Sequence, residues 1–213
     1  MINLSEIRRN YILHTLDEHD AGDDPIAFFE KWFNQAVEVQ SHEPTAMMLS
    51  TVDEKGRPSS RMVLLKGLVR GAFRFFTNYN SLKGKQIKKN PYGSLLFFWP
   101  ELERQVRVQG KIERISEIDS DEYFNSRPFE SKVSAVISPQ SEVIPDRGYL
   151  EKLMEDKLSE FGNDQQILRP KHWGGYDLKP SKIEFWQGRE SRLHDRILFI
   201  KIRNKWVRER LAP

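Results

Sequence analysis

The hydrophobic and polar positions of this chain change period several times, and each change marks an element. Asp24 and Pro25 suit the cap and first turn of a helix, and Ile26, Phe28, Phe29, Trp32, Phe33, Ala36 and Val37 then recur as one apolar stripe. Strand patterns follow over residues 45–52, 59–69 and 72–77, with a turn at Asp53-Glu54-Lys55-Gly56. Residues 78–90 read as a helix, with Ser81 near its start and Asn90-Pro91 at its end. Residues 92–99 read as a buried strand. Residues 104–115 alternate, with Val106 and Val108 on one face and Gln105, Arg107 and Gln109 on the other. Helices are predicted over 116–125, where Ser116-x-x-Asp119 resembles a capping box, and over 131–137 and 146–161. Strands over 173–178, 182–186, 196–202 and 206–210 close the chain. Strands follow one another without crossover helices, which favours an antiparallel barrel with packed helices, a mainly β, α+β fold, over a parallel βαβ array. The polar stretch 1–24 is expected to be a mobile segment before one domain spanning 25–213.

Composition narrows the function. The chain has 213 residues, with 38% hydrophobic, 11% aromatic and 31% charged positions, which suits a folded domain rather than a disordered chain. No apolar run approaches the ~18 residues that cross a bilayer, and no secretory signal is visible at the N-terminus. The absence of cysteine excludes disulfides, thiol catalysis and zinc-thiolate sites, and fits a cytoplasmic protein. The net charge of +3 is too mild to argue for nucleic acid.

The distribution of charge says more. Residues 61–90 hold Arg61, Lys66, Arg70, Arg74, Lys83, Lys85, Lys88 and Lys89 with no acid. Such a block repels itself unless an anion lies nearby. On a strand, Arg61 and Lys66 would face opposite sides, each free to reach a different group. Ser81 and Lys83 open a helix whose N-terminus attracts phosphate. Arg192, His194 and Arg196, if extended, share one face. Tyr123, Arg127 and Ser131 are spaced i, i+4, i+8, although Pro128 interrupts that helix. Each pattern taken singly also fits solvated strand ends, ordinary capping or an exposed helix end. No Ser-His-Asp arrangement and no metal-ligand spacing is visible, so no metal is expected. Trp32, Trp99, Trp173 and Trp206 read as core.

RMVLLK, FFTN…SLKGKQI, LERQVRVQGK, YFNSRP…S, SPQS, IEFWQGRESRLHDR and the terminal ERLAP, in this order and spacing, resemble the pyridoxine (pyridoxamine) 5′-phosphate oxidase family from Arg8 to Pro213. The resemblance implies an FMN-binding split β-barrel and a homodimer with two FMN molecules in clefts between the subunits. It implies oxidation of pyridoxine 5′-phosphate or pyridoxamine 5′-phosphate to pyridoxal 5′-phosphate, with O2 as acceptor and H2O2 as product, plus NH3 from the amine. It places FMN contacts on Arg61, Met62, Val63, Leu64, Leu65, Lys66, Phe76, Thr77, Lys83, Gln105, Gln140, Ser141, Trp186 and Arg196. Substrate contacts fall on Lys66, Tyr123, Arg127, Ser131, Arg192 and His194, with Arg8 and Tyr11 added from the N-terminal segment; Arg192 and His194 would hold the ring for reaction. Leu82 and Asn10 depart from the family pattern, which more often has a base and an acid there. The alternatives are another split-barrel flavoprotein, such as a flavin reductase, and a basic barrel that binds RNA or single-stranded DNA through aromatic platforms. The family implies no nucleic-acid or membrane partner.

Overall fold

The computed structural model describes residues 3, 6, 10–161 and 166–213. Helix α1 (Glu18–Ala21) and helix α2 (Pro25–Glu38) come first. Strands β1 (Ala46–Val52), β2 (Pro58–Leu64), β3 (Gly67–Val69) and β4 (Ala72–Asn78) lead to helix α3 (Leu82–Lys89). Strands β5 (Tyr92–Trp99) and β6 (Arg104–Arg114) precede helices α4 (Glu117–Asn125), α5 (Phe129–Ile137) and α6 (Arg147–Phe161). The chain ends with β7 (Trp173–Gln187), β8 (Asp195–Ile202) and β9 (Lys205–Arg210).

All strand pairs are antiparallel, in the order β2-β1-β5-β6-β7-β4-β3, with β8 added to β7 and β9 to β8. Two sequence expectations about strand breaks are reversed. The strand expected over 59–69 is broken at Leu65 and Lys66: the Leu65 amide donates to Thr45 O and the Lys66 amide to Arg74 O, so the chain leaves β1 and joins β4 there. The strands expected at 173–178 and 182–186 are instead one, β7. It keeps β6 along one edge, while its other edge pairs first with β4 and then with β8. Pro180 lacks an N–H for that second edge, so the partner changes there without ending the strand. A bulge falls opposite, at Gln109/Gly110, where a Cβ on Gly110 would lie 2.0 Å from Lys179 O.

Helix α2 starts as its sequence dictates: the Asp24 carboxylate accepts from the Ile26 and Ala27 amides and Pro25 takes the first turn. Its Phe28, Phe29 and Trp32 pack against the inner face of the sheet, with Phe29 5.0 Å from Phe97 and Phe28 4.6 Å from Phe185. Val37, expected in that stripe, is exposed because the stripe has rotated away by the last turn. Trp32, Trp99 and Trp173 are buried, whereas Trp206 is only partly covered, on the β8–β9 hairpin. A second, smaller core of Phe124, Val133, Ala135, Ile167 and Trp173 lies under α4, α5 and α6. Residues 11–24, expected to be mobile, contact the barrel: the Ile12 and Leu13 amides donate to Glu103, the Leu16 amide to Asp195, and the Leu16 side chain is buried.

No helix among the described residues is long and apolar enough to cross a membrane. Asp17, His19 and Asp20 bring their ligand atoms within 4.8 Å of one another, a grouping not evident from spacing alone. All three are exposed, and the two acids form the capping box of α1.

Candidate functional site

The break after β2, the end of β4 and the start of α3 surround a cavity of about 360 Å³. Arg61, Lys66, Lys83 and Arg127 line it, and among the described residues no carboxylate does. Lys83 shows how the local sequence sets this up. Ser81 caps α3, accepting from the Gly84 amide and donating to Asn78 O, so the anion-attracting helix end is already occupied by a side chain. Lys83 in the first turn folds inward. Its Nζ donates to Gln140 Oε1 at 2.8 Å, Thr77 Oγ1 at 3.1 Å and Ser81 Oγ at 3.2 Å, all neutral acceptors. Burial, with the Arg61 charge adding to it, pulls the Lys83 pKa down to about 8.

Arg61 is held similarly. Its guanidinium donates to Thr51 Oγ1 at 2.6 Å, Leu49 O at 3.2 Å and Gln86 Oε1 at 3.4 Å, and burial lowers its pKa. Arg127 stands at the opposite wall, 4.6 Å over the Trp173 ring, its pKa also lowered by burial. Its Nη1 is buried with no hydrogen-bond partner. Such a donor leaves its desolvation cost uncompensated and is aimed at an acceptor not supplied by the chain. Beside it Phe76, Tyr123 and Trp173 stack nearly parallel, with centroid distances of 3.7 Å and 5.5 Å from Phe76.

Met62, Val63, Leu64, Phe76, Thr77, Tyr123 and Gln140 therefore share the cavity wall with the four cations. Three expected members do not. Leu65 is buried in the main core, because the chain turns inward at the strand break. Ser131 lies on α5 off the cavity wall, because α4 ends before Pro128 and the continuous helix needed for i, i+8 never forms. Ser141 is exposed, at φ 73°, one residue beyond Gln140. Arg8 lies outside the described residues.

The remaining expected residues form a second group. Gln105, Trp186 and Arg196 are direct cross-strand neighbours on β6, β7 and β8. His194 lies 4.7 Å from Trp186, and Tyr11 meets both rings edge-on, at 5.6 Å and 5.8 Å. The common face expected for Arg192, His194 and Arg196 does not exist. Ser191 and Arg192 have positive φ in a 3-10 turn, and the strand begins only at Asp195. Arg196 is not short of an anion either, since Nε donates to Glu184 Oε1 at 2.9 Å and Nη1 to Ala212 O at 2.8 Å. The His194 Nδ1 accepts the Arg189 amide at 3.1 Å, which leaves the proton on Nε2. Its pKa is lowered, by burial first and the Arg192 charge second, with Asp195 opposing. A cleft of about 730 Å³ runs beside this group, between residues 11–15 and 189–193; its wall carries both Arg189 and Glu190, so it lacks the one-signed charge of the smaller cavity.

Sequence reasoning missed Asn78, Gln86 and the double role of Trp173. Asn78 and Trp173 line the cavity, and Gln86 secures Arg61. Gln86 was findable, because it lies three residues after Lys83 on the same helix face. Trp173 was assigned to the core, and it is both core and cavity wall.

No hydrogen bond or ring contact among the described residues joins the two groups. β2 and β7 are four strand steps apart, roughly 19 Å along the sheet at about 4.8 Å per step. Between them the outer face carries one cross-strand row, Met62, Met48, Leu96, Arg107, Glu184 and Leu198. Met62 is 60% exposed and Phe98 52%.

A family model described as pyridoxamine 5′-phosphate oxidase matches residues 33–156, and one described as pyridoxine 5′-phosphate oxidase C-terminal dimerisation region matches residues 173–213. The curated pyridoxine/pyridoxamine 5′-phosphate oxidase of Legionella pneumophila (strain Paris) is 51% identical over 211 residues, 99% of this chain and 98% of its own. That of Neisseria meningitidis serogroup B (strain ATCC BAA-335 / MC58) is 49% identical over 212 residues, all of both chains. Among solved structures, PhzG from Burkholderia lata 383, in complex with tetrahydrophenazine-1-carboxylic acid, superposes with a TM-score of 0.88 at 26% identity, over 94% of this chain and 99% of that one. A pyridoxamine 5′-phosphate oxidase-related, FMN binding protein from Nostoc punctiforme PCC 73102 has the same fold, with a TM-score of 0.72 at 18% identity over 90% of this chain and 100% of that one.

Proposed function

This chain belongs to the pyridoxamine 5′-phosphate oxidase family, and we propose that its two residue groups are halves of one site completed between the subunits of its homodimer. The protein is an FMN-dependent oxidase of the split-barrel fold. It converts pyridoxine 5′-phosphate or pyridoxamine 5′-phosphate to pyridoxal 5′-phosphate. The alcohol and O2 give the aldehyde and H2O2; the amine, O2 and water give the aldehyde, NH3 and H2O2. Within this proposal the enzyme works in the cytoplasm, because its substrates are phosphate esters too charged to cross a membrane unaided.

One observation carries the site assignment: four cations converge on a cavity that no carboxylate among the described residues lines, and one of them keeps a buried N–H unpaired. FMN and the substrate each bring a phosphate near −2, the charge this cavity lacks. Arg61, Thr77 and Lys83 would hold the FMN phosphate, with Gln140 orienting the lysine. Lys66, Tyr123 and Arg127 would take the substrate ester, the guanidinium supplying its unpaired Nη1–H. From the partner subunit, Gln105, Trp186 and Arg196 would complete the FMN site, and Arg192 and His194 would hold the pyridine ring. FMN, when bound, supplies the two-electron oxidation and passes the electrons to O2. The Arg189 amide occupies His194 Nδ1, so a hydrogen bond from His194 to the substrate would come from Nε2. The exposed Met48, Met62 and Phe98 give the second copy an apolar seat between the half-sites.

Subunit mixing tests this. Lys83→Met and His194→Ala homodimers should each lose most activity. Randomly mixed dimers, half of which hold one intact site of two, should recover about a quarter of wild-type turnover. No recovery on mixing would place both groups in the same subunit's site and overturn the assignment. A colourless wild-type protein that binds polyanions would favour the nucleic-acid alternative.

A further inference from the structure

Glu103 closes the 3-10 turn Pro100–Leu102 with a left-handed backbone, φ 54°, and only 2% of the residue is exposed. Both choices are locally unfavourable: a side chain disfavours that φ, and burying a carboxylate costs free energy unless it is well hydrogen-bonded. The compensation lies in what the residue joins. One carboxylate oxygen, Oε2, accepts the backbone amides of Ile12 at 2.9 Å and Leu13 at 3.1 Å. The main-chain carbonyl accepts from the Gly188 amide at 2.8 Å and from Gln187 Nε2 at 3.3 Å. Glu103 thus ties the segment entering α1 to the loop leaving β7.

Tyr11 sits directly before the two pinned amides. Its ring lies edge-on to Trp186 and His194. It can do so because residue 188 is glycine: a Cβ there would stand 2.7 Å from the Tyr11 Cβ. His194 is in turn fixed by the Arg189 amide of the same loop. Glu103 lines neither cavity, so these groups connect it to the site.

We infer that Glu103 is a positioning residue: its carboxylate seats Tyr11 on the bare backbone of Gly188 and so holds the Tyr11–Trp186–His194 group in the arrangement that receives the substrate ring. This rests on the proposed placement of Tyr11 and His194 at the substrate. A glutamine keeps an oxygen that can accept both amides, whereas a glycine keeps none. Glycine also relieves the left-handed backbone, which offsets part of the cost of removing the side chain.

The test compares Glu103→Gln and Glu103→Gly in the FMN-loaded dimer. Hydrogen exchange is followed in the peptide covering residues 10–16, alongside KM and kcat with pyridoxine 5′-phosphate. Glu103→Gly should speed exchange at the Ile12 and Leu13 amides and raise KM, each by about tenfold or more, with flavin content unchanged. Glu103→Gln should stay within about threefold of wild type in both. Wild-type protection at those amides in Glu103→Gly, faster exchange with unchanged KM, or a glutamine variant as impaired as the glycine one would each overturn the inference. A wild-type protein inert toward the substrate would instead overturn the functional reading, which the exchange measurement does not depend on.

Discussion

The cavity around Lys83 and the outer end of β8 are both rich in cations, and the fold treats them in opposite ways. At β8 each of three arginines meets an acid: Arg196 bonds Glu184, Arg189 bonds Asp195, and Arg210 bonds Asp195 and Glu18. Around Lys83 the acceptors are hydroxyls, amides and carbonyls, and Arg127 keeps one donor unmatched. The same division runs through the basic block of residues 61–90: Arg74 pairs with Asp177 and Asp119, and Lys89 with Glu54, whereas Arg61 and Lys83 have only neutral partners. What distinguishes a binding site from a charged surface is the supply of counter-charge by the chain itself, and cation density alone does not report it.

Removing the buried ammonium breaks this contrast most sharply. Lys83→Met should weaken FMN binding roughly 10- to 100-fold, read as flavin absorbance lost on desalting, because a hydrogen bond to a charged group is lost. The apoprotein should not lose stability, since an uncompensated buried charge goes with it. The pH dependence has a definite sign. Lys83 has its folded pKa lowered to about 8, from an ordinary value of 10.5, so its penalty is fully present below pH 8. Apoprotein stability should therefore rise between pH 8 and about 10.5, and FMN affinity should fall over the same interval as the ammonium is lost. Lys83→Met should flatten both trends, as measured by denaturant melts and flavin titration. Retention of either slope would show that another group is responsible.

Arg127→Leu should have the next largest effect. It should keep FMN and raise KM for pyridoxamine 5′-phosphate by about tenfold or more. Loss of flavin instead would move Arg127 to the other phosphate. The smallest effect belongs to the paired side. Arg210 is partly exposed and its ion pairs are screened, so Arg210→Ala should lower the melting temperature by less than about 4 °C and leave flavin content unchanged. A larger drop would show that the paired arginines matter to the fold as much as the unpaired ones matter to binding.

Much of this was legible in the chain. Hydrophobic period and capping residues located α2 to α6 and most strands, because Asp24-Pro25, Ser81 and Ser116 act on their immediate neighbours, whereas α1 fell in a stretch read as mobile. The break at Leu65-Lys66 was not legible, because it is set by the distant partners Thr45 and Arg74. The gap read between 178 and 182 proved to be a change of partner on one edge only, at Pro180. In the site, Arg61, Lys66, Lys83, Tyr123, Arg127 and Gln140 line one cavity; Arg61 and Lys66, expected on opposite faces of one strand, share it because that strand ends at Leu64. The shared face of Arg192, His194 and Arg196 failed because period-two reasoning assumes extended backbone, and positive φ at Ser191 and Arg192 ends it. The carboxylate that satisfies Arg196 comes from the neighbouring strand, which pattern along one segment does not reveal.

Among the described residues, β7 is the strand that links β6 to β4 in the sheet order. During synthesis, therefore, the β2-β1-β5-β6 ladder and the β4-β3 ribbon leave the ribosome as two pieces with no common strand. Only when residues 173–187 emerge does the nascent chain join them, and those residues also bring Trp173 to one half-site and Trp186 to the other. A chain interrupted before that point holds neither ring in place, so on the proposed site flavin uptake should wait for residues 173–187.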